Sequence, residues 1–105
     1  MISGEQGLAL NLQAIRDYLR ENFPADKHDD ENDFERCRHK FRIITDDQIL
    51  LLSISSEFVE DSDSETIIRR LKFLRVIDLL KTNPKSTIVV WQHGAQGSVS
   101  VDPRI

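Results

Sequence analysis

The chain has 105 residues, a formal net charge of −4 and 39% apolar residues. This length supports one hydrophobic core, and the apolar content is too high for a disordered chain. The sequence therefore predicts a single domain over residues 1–105, and its acidic balance argues against general binding of nucleic acid.

Cys37 is the single cysteine, so no disulfide can form within the chain. No apolar stretch reaches the roughly 20 residues that a membrane-spanning helix needs. The first residues, Met1 to Gln6, lack the basic and then apolar pattern of a signal peptide. We therefore expect a cytoplasmic protein without membrane contact.

Apolar residues at helical spacing follow Ser3, a residue type that suits the N-cap position, and Pro24 ends their pattern. They predict a first helix through Leu8, Leu12, Ile15, Leu19 and Phe23. Residues 25–33 are acidic and almost without apolar side chains, so they predict an acidic mobile loop. A metal site is not predicted there, because the segment lacks the glycine and the ligand spacing of an EF-hand.

Alternation between Phe34 and Ile44 predicts a strand with one basic and one mostly apolar face. The basic face holds Arg36, Arg38, Lys40 and Arg42, and the other face holds Cys37, His39, Phe41 and Ile43. A two-residue turn at Asp46-Asp47 sets Phe41 opposite Leu52 and Ile43 opposite Leu50 in a second strand that runs to about Val59.

Cys37 and His39 on one strand face are the minimum pair for thiolate catalysis. Residues two apart on a strand are separated by roughly 7 Å, which is beyond the hydrogen-bond reach of a general base. We therefore predict a buried thiol and a hydrogen-bonded histidine at the edge of the core instead of a catalytic pair.

Ser62 and Glu65 have the spacing of a capping box, and apolar residues recur at helical spacing until Asn83-Pro84. They predict one helix over residues 63–82. On a straight helix the apolar side chains cover an arc of roughly 220°, which is wider than the usual stripe of a little over about 100°. This surplus of apolar surface predicts self-association.

A second hairpin is predicted by the β-branched residues of Ser86 to His93, the glycine-rich turn at 94–97 and the strand that follows. With Ala95-Gln96 as its loop, Val90 pairs with Val101. Pro103 ends this last strand, so residues 103–105 are predicted to be a frayed tail.

The order of elements predicts an α+β fold, α-β-β-α-β-β, in which two helices cover one face of a four-stranded antiparallel sheet as a two-layer sandwich. The other sheet face stays open. If the two hairpins are neighbours, an aromatic side chain joins the basic row on this face. The candidate binding residues are Arg36, Arg38, Lys40, Arg42 and Trp91.

Two functions fit these patterns. The first is a small accessory or regulatory interaction protein without enzymatic activity, which forms a homodimer through the open sheet face or the second helix. Its candidate interface residues are Ile49, Leu51, Phe73 and Val76. The second is a nucleic-acid-binding domain that uses the basic face, although that row also fits a solvated face that discourages edge pairing. No phosphate loop, nucleophile elbow or paired-cysteine pattern occurs, so no catalytic residue, metal or cofactor is predicted.

Overall fold

The computed structural model describes residues 4–104, with side chains from residue 7 onward. Within this range the chain forms four helices and five strands, which confirms the α+β class. None of these helices combines the length and the apolar character needed to cross a membrane. The helices are α1 (Gly4–Asn22), α2 (Ser56–Glu60), α3 (Ser64–Phe73) and α4 (Val76–Thr82). The strands are β1 (Lys27–Asp33), β2 (Arg38–Ile44), β3 (Ile49–Ser55), β4 (Ser86–Trp91) and β5 (Ser98–Pro103). The predicted N-cap residue Ser3 lies outside the described residues.

The strands form one sheet in the order β1-β2-β3-β4-β5. Neighbouring strands are antiparallel except for β3 and β4, which are parallel. The predicted four-stranded antiparallel sheet is therefore wrong in its number of strands and in this one pairing. Residues 56–85 connect β3 to β4, because a parallel pair needs a crossover that returns the chain to the same end of the sheet.

The described helices pack on one face of the sheet, which we call the inner face; the opposite one is the outer face. Helices α2 and α4 contact β3 and β4, and α1 packs on α2 and α3. The core combines helix residues with the inner-face residues Phe41, Leu52 and Ile88, which are at most 2% exposed. The apolar strand faces are thus covered by the crossover, as expected for a two-layer fold.

The acidic segment 25–33 is not a loop throughout, because β1 occupies residues 27–33 at the edge of the sheet. Acidic residues have low strand propensity, but this strand pairs with the cationic strand β2. Asp29 accepts two hydrogen bonds from Arg42, at 2.6 and 2.5 Å, and Asp33 forms an ion pair with Lys40 at 3.3 Å. The loop prediction is wrong at 27–33 because these cross-strand partners are not visible within the acidic segment itself.

The register of β2 and β3 is the predicted one, with Phe41 opposite Leu52. The amide of Thr45 donates to the carbonyl of Gln48 at 2.9 Å, which closes the predicted two-residue turn. Strand β3 ends earlier than predicted, at Ser55, because the Ser55 hydroxyl accepts the amide hydrogen of Phe58 and caps α2.

The predicted helix over 63–82 is two helices, because Arg75 between them adopts a left-handed conformation with φ of 58°. The N-cap of α3 is Asp63, one residue later than the predicted cap Ser62, since the side chain of Asp63 accepts the amide hydrogen of Thr66. The break turns the apolar sides of both helices toward the core, where they bury Ile67, Leu71, Val76, Ile77 and Leu80. Much of the surplus apolar surface of a straight helix is therefore buried within the chain.

The hairpin of β4 and β5 differs in register from the prediction by two residues. Val90 pairs with Val99 instead of Val101, because residues 92–97 connect the strands instead of a two-residue loop. Gly94 and Gly97 both have positive φ in this connection. A shift of two residues keeps every side chain on its predicted face, so Val90 remains in the core.

Asn11 joins α1 to the connection between α2 and α3, and the sequence patterns did not single it out. This residue is 4% exposed, and its Nδ2 donates to the carbonyls of Val59 at 2.6 Å and Ser62 at 2.8 Å. Its Oδ1 accepts a hydrogen bond from the hydroxyl of Ser64 at 2.7 Å. Both the Nδ2 and the Oδ1 atom of this buried amide are thus hydrogen-bonded. These bonds position α1 so that Ile15, Leu19 and Phe23 join the core.

Gly97 allows the β4–β5 connection to approach α2. A Cβ atom there would lie 2.8 Å from both the ring of Phe58 and the carbonyl oxygen of Trp91, and φ is +82°. We expect Gly97→Ala to lower the free energy of unfolding by about 2–4 kcal/mol in urea denaturation, from left-handed strain and overlap together. Gly94→Ala is the control, because φ is +66° there but nothing lies within 4 Å. Equal losses in the two variants would contradict the close approach to Phe58.

Candidate functional site

Strand β2 places Arg38, Lys40 and Arg42 on the outer face, away from the helices. The alternation predicted Arg36 on the same strand, and this is wrong. Arg36 lies in the β1–β2 turn at 34–37, where it forms an ion pair with Asp33 at 3.3 Å. Cys37 lies in the same turn with φ of 53° and is exposed, so the predicted buried thiol is wrong. The pleat alternation starts only after this turn.

A groove of about 570 Å³ crosses the outer face. No helix residue lines it within the described part of the chain; its walls come from the strands, the β1–β2 turn and the residues after β5. Five basic side chains and two acidic ones take part: Arg36, Arg38, Lys40, Arg42 and Arg104, with Glu31 and Asp102. We call this feature the cationic groove, and it brings together the four predicted basic residues.

The β1 carboxylates neutralise part of the cationic groove. Lys40 and Arg36 both pair with Asp33, and Arg42 pairs with Asp29. The hydrogen bond from Arg42 lowers the pKa of Asp29, so this carboxylate is ionised at neutral pH. The three cations are 41–65% exposed, so salt screens these ion pairs and each pair contributes little stability.

Arg38 differs from its neighbours, because no carboxylate among residues 7–104 lies within ion-pair distance of its guanidinium. The guanidinium carbon lies 4.2 Å from the ring centroid of Trp91 instead. The Trp91 indole Nε1 donates to the hydroxyl of Ser100 at 3.3 Å. Arg38 and Trp91 therefore share the outer face, as predicted, and the cation covers the aromatic ring.

The floor of the groove consists of small and apolar side chains that sequence patterns did not mark as functional. Val89 is 1% exposed yet lies outside the main core, and Ser53 is 3% exposed with a buried hydroxyl that has no hydrogen-bond partner. The Nε atom of Arg38 is likewise buried without a partner. Ser53 interrupts an apolar strand, which is the one signal in the sequence that points to it.

The residues after β5 also contribute, although a frayed tail was predicted over 103–105. Pro103 belongs to β5, and Arg104 donates to the carbonyls of Ile49 and Ser86. These bonds hold Arg104 at the groove beside β3 and β4. The tail prediction is therefore wrong for 103 and 104, and Ile105 lies outside the described residues.

The four candidate interface residues do not form one surface. Ile49 is 39% exposed and Leu51 is half-buried at the groove, whereas Phe73 is 65% exposed at the end of α3. Val76 is fully buried in the core, so its assignment to an interface is wrong, because the break at Arg75 turns it inward. The homodimer stays a prediction, without the support of a wide apolar arc.

A second polar cluster lies on the inner face between α1, β1 and β2. Asp30 accepts two hydrogen bonds from Arg16, at 2.9 and 2.8 Å, and one from Nε2 of His39 at 2.6 Å. The Arg16 guanidinium, together with His39, holds the pKa of Asp30 at about 2 against the opposing effect of burial. His39 is 9% exposed and hydrogen-bonded, which confirms its prediction as a histidine of the core edge.

This cluster connects α1 to the β1–β2 hairpin, because the Asp30 carboxylate accepts hydrogen bonds from both Arg16 and His39. Within residues 7–104, no three His, Cys, Asp or Glu side chains are grouped so that they could hold a metal ion. Comparison of the chain with family models, with curated proteins and with solved structures gave no match. The cationic groove, which brings together the four predicted basic residues, is the candidate site.

The Asp30 cluster makes stability depend on pH. Because the pKa of Asp30 is lowered to about 2 in the folded chain, its contribution is complete above the unfolded value of about 3.9 and is lost as the pH falls through 2. We expect Asp30→Asn to lower the free energy of unfolding by about 1–2 kcal/mol at neutral pH. The difference from the unmodified chain should shrink between about pH 4 and pH 2 in urea denaturation.

Asp29→Asn is the matched control. Asp29 is the residue before Asp30 on β1 and also has an arginine partner, Arg42, but its carboxylate is more exposed. This variant should change stability less. A loss in Asp30→Asn that stays constant from neutral to acidic pH would contradict the assigned role of the ionised carboxylate.

Proposed function

We propose that the protein is an interaction module whose cationic groove binds an acidic segment of a partner protein. The observation that carries this proposal is the groove of about 570 Å³ itself, where five basic side chains surround a floor of hydroxyl and apolar groups. A concave site with apolar surface and a few placed polar groups is the usual form of a binding site.

Charge favours an anionic partner. Arg38 has no carboxylate partner among residues 7–104, the partner of Arg42 is exposed, and Lys40 shares Asp33 with Arg36. A carboxylate about 4 Å from one of these cations gains about 4 kcal/mol of Coulomb energy at an effective dielectric constant of 20, before the cost of desolvation is subtracted. Complementary charge also accelerates association and aligns the partner.

Apolar surface beside the cations favours a protein segment. Ile49 is 39% exposed, and Leu51, two positions along the same strand face, lines the groove. An extended peptide places alternate side chains on opposite sides. A segment in which acidic and apolar residues alternate therefore presents a row of acidic side chains on one side and a row of apolar side chains on the other, and either row can contact this face. Leu51 supplies the apolar contact nearest to Lys40 and Arg42.

Nucleic acid fits the same face less well. Proteins that bind single-stranded nucleic acid stack successive bases on several aromatic side chains, whereas Trp91 is the single aromatic residue that the described strands place on the outer face. The net charge of −4 also opposes a nucleic acid, which carries a charge on every nucleotide, more strongly than a peptide in which only alternate residues are acidic. Nucleic-acid binding is therefore the second hypothesis, and the peptide titration described next tests it as well.

The test is a titration with a fluorescein-labelled peptide in which Glu alternates with Leu, followed by fluorescence anisotropy at low salt. We expect the double variant Arg38→Glu/Lys40→Glu to weaken binding by about tenfold or more, because each reversed charge opposes the peptide. The double variant Arg69→Glu/Lys72→Glu is the matched control, since it makes the same charge change at exposed positions of α3. It should keep the affinity within about twofold.

Two outcomes would contradict the proposal. One is binding of an oligothymidylate more tightly than the peptide, with the same loss in Arg38→Glu/Lys40→Glu, which supports the nucleic-acid reading instead. The other is equal peptide affinity in both double variants, which places the contact elsewhere on the molecule.

A second copy of the chain is the other protein partner that we propose for this face, because Leu51 of the predicted interface lines the groove and Ile49, which is 39% exposed, lies two positions along the same strand face. Light scattering at micromolar concentration should then give twice the chain mass. Leu51→Glu should return the protein to a monomer, whereas Phe73→Glu, on α3, should not. A monomer at every concentration would exclude this partner.

For the cellular compartment we propose the cytoplasm. The support is chemical. Cys37 is an exposed thiol with no second cysteine in the chain to form a disulfide, and a reducing compartment keeps such a thiol reduced. Localisation of a fluorescent fusion protein tests this assignment, and a secreted product would overturn it.

A further inference from the structure

We propose that Arg38 and Ser53 form an oxyanion subsite at the floor of the cationic groove, which takes one carboxylate or phosphate group of the bound ligand. The proposed function identifies the ligand as acidic, and this inference deepens it by assigning the two donors that recognise the acidic group. The chemistry that carboxylates and phosphates share is an oxygen with lone pairs for two or more N–H or O–H donors.

The first observation is the burial of the Ser53 hydroxyl. Ser53 is 3% exposed, lines the groove, and its Oγ atom has no hydrogen-bond partner. Nearly all buried polar side chains in folded proteins have a partner, and an exception calls for one that is missing from the free protein. A ligand oxygen in the groove supplies that partner.

The second observation is the Nε atom of Arg38, which is also buried and without a partner. Arg38 pairs with Ser55 and Lys40 pairs with Ser53, so Arg38 and Ser53 are diagonal neighbours on the outer face. Diagonal neighbours in an antiparallel pair are about 7–8 Å apart at their backbones, a distance that an arginine side chain spans. One oxyanion can therefore accept hydrogen bonds from both residues.

Access to the subsite requires a movement of Arg38. Both donor atoms are buried, and the guanidinium lies over the ring of Trp91. Among residues 7–104, no carboxylate holds the guanidinium in that position. Charge-assisted hydrogen bonds to an oxyanion are stronger than a partly exposed cation–π contact, so a bound ligand draws Arg38 away from the ring. Lys40, which is directly opposite Ser53, adds positive charge at the same point.

The movement has a convenient reporter, because Trp91 is the single tryptophan of the chain. Its fluorescence changes when the guanidinium leaves the ring. The Nε–Hε group of Arg38 reports the new hydrogen bond directly, since it gives a separate signal in a ¹H–¹⁵N NMR spectrum.

The experiment titrates the full chain with inorganic phosphate and, separately, with acetate, at constant ionic strength set with chloride. We expect a saturable shift of the Arg38 Nε–Hε signal together with a change in Trp91 fluorescence. The anion with the lower dissociation constant identifies the group, phosphate or carboxylate, for which the subsite is built.

Three variants make the test specific, and each is first shown to be folded by its NMR spectrum. Ser53→Ala and Arg38→Lys should each weaken anion binding by about tenfold, because each removes one donor while Arg38→Lys keeps the charge. Thr87→Val is the matched control, since it removes another hydroxyl that lines the groove, and it should stay within about twofold.

The outcomes separate this inference from the proposed function. An Arg38 signal that does not move, or equal anion affinity in Ser53→Ala and Thr87→Val, overturns the subsite. If the Glu-Leu peptide still binds the groove in that case, the proposed function stands without it. If the anions bind through Arg38 and Ser53 and the peptide does not, the subsite stands and the acidic protein partner is wrong.

Discussion

The parallel pairing of β3 with β4 is the constraint on which the rest of the molecule depends. Parallel neighbours need a connection that crosses back over the sheet, and residues 56–85 form it with α2, α3 and α4 on the inner face. Asn11 then attaches α1 to the same layer. Because the described helices all lie on that side, the outer face is left to the strands, and its chemistry is set by their alternate side chains.

The two faces use charge in different ways. On the inner face, the ionised carboxylate of Asp30 accepts hydrogen bonds from Arg16 and His39, and these bonds connect α1 to the first hairpin. On the outer face, the β1 carboxylates partly neutralise Lys40 and Arg42, whereas Arg38 lies over the ring of Trp91. The acidic edge strand thus stabilises the sheet, while the neighbouring basic strand keeps one cation that has no carboxylate partner among residues 7–104.

Local sequence patterns were sufficient where a local rule decides the structure. Alternation and the Asp46-Asp47 turn determine the β2–β3 register, so its pairs were predicted correctly. Strand β1 was missed because its stabilising partners lie on β2. The break at Arg75 was missed because neither glycine nor proline marks it. The relation of Ser53 to Arg38 follows from the predicted β2–β3 register, whereas the position of Trp91 beside them depends on β4 lying next to β3, a tertiary contact that periodicity does not encode.

The most direct test of the account is a methyl NMR map of the chain during titration with the Glu-Leu peptide. Side chains of one strand alternate between faces, so neighbouring residues report different sides of the sheet. We predict that the methyl signals of Leu51 and Val89, on the outer face, shift on binding, whereas those of Leu50 and Ile88, on the inner face, do not. Shifts confined to methyl groups of α1 and α3, with Leu51 and Val89 unchanged, would contradict the account.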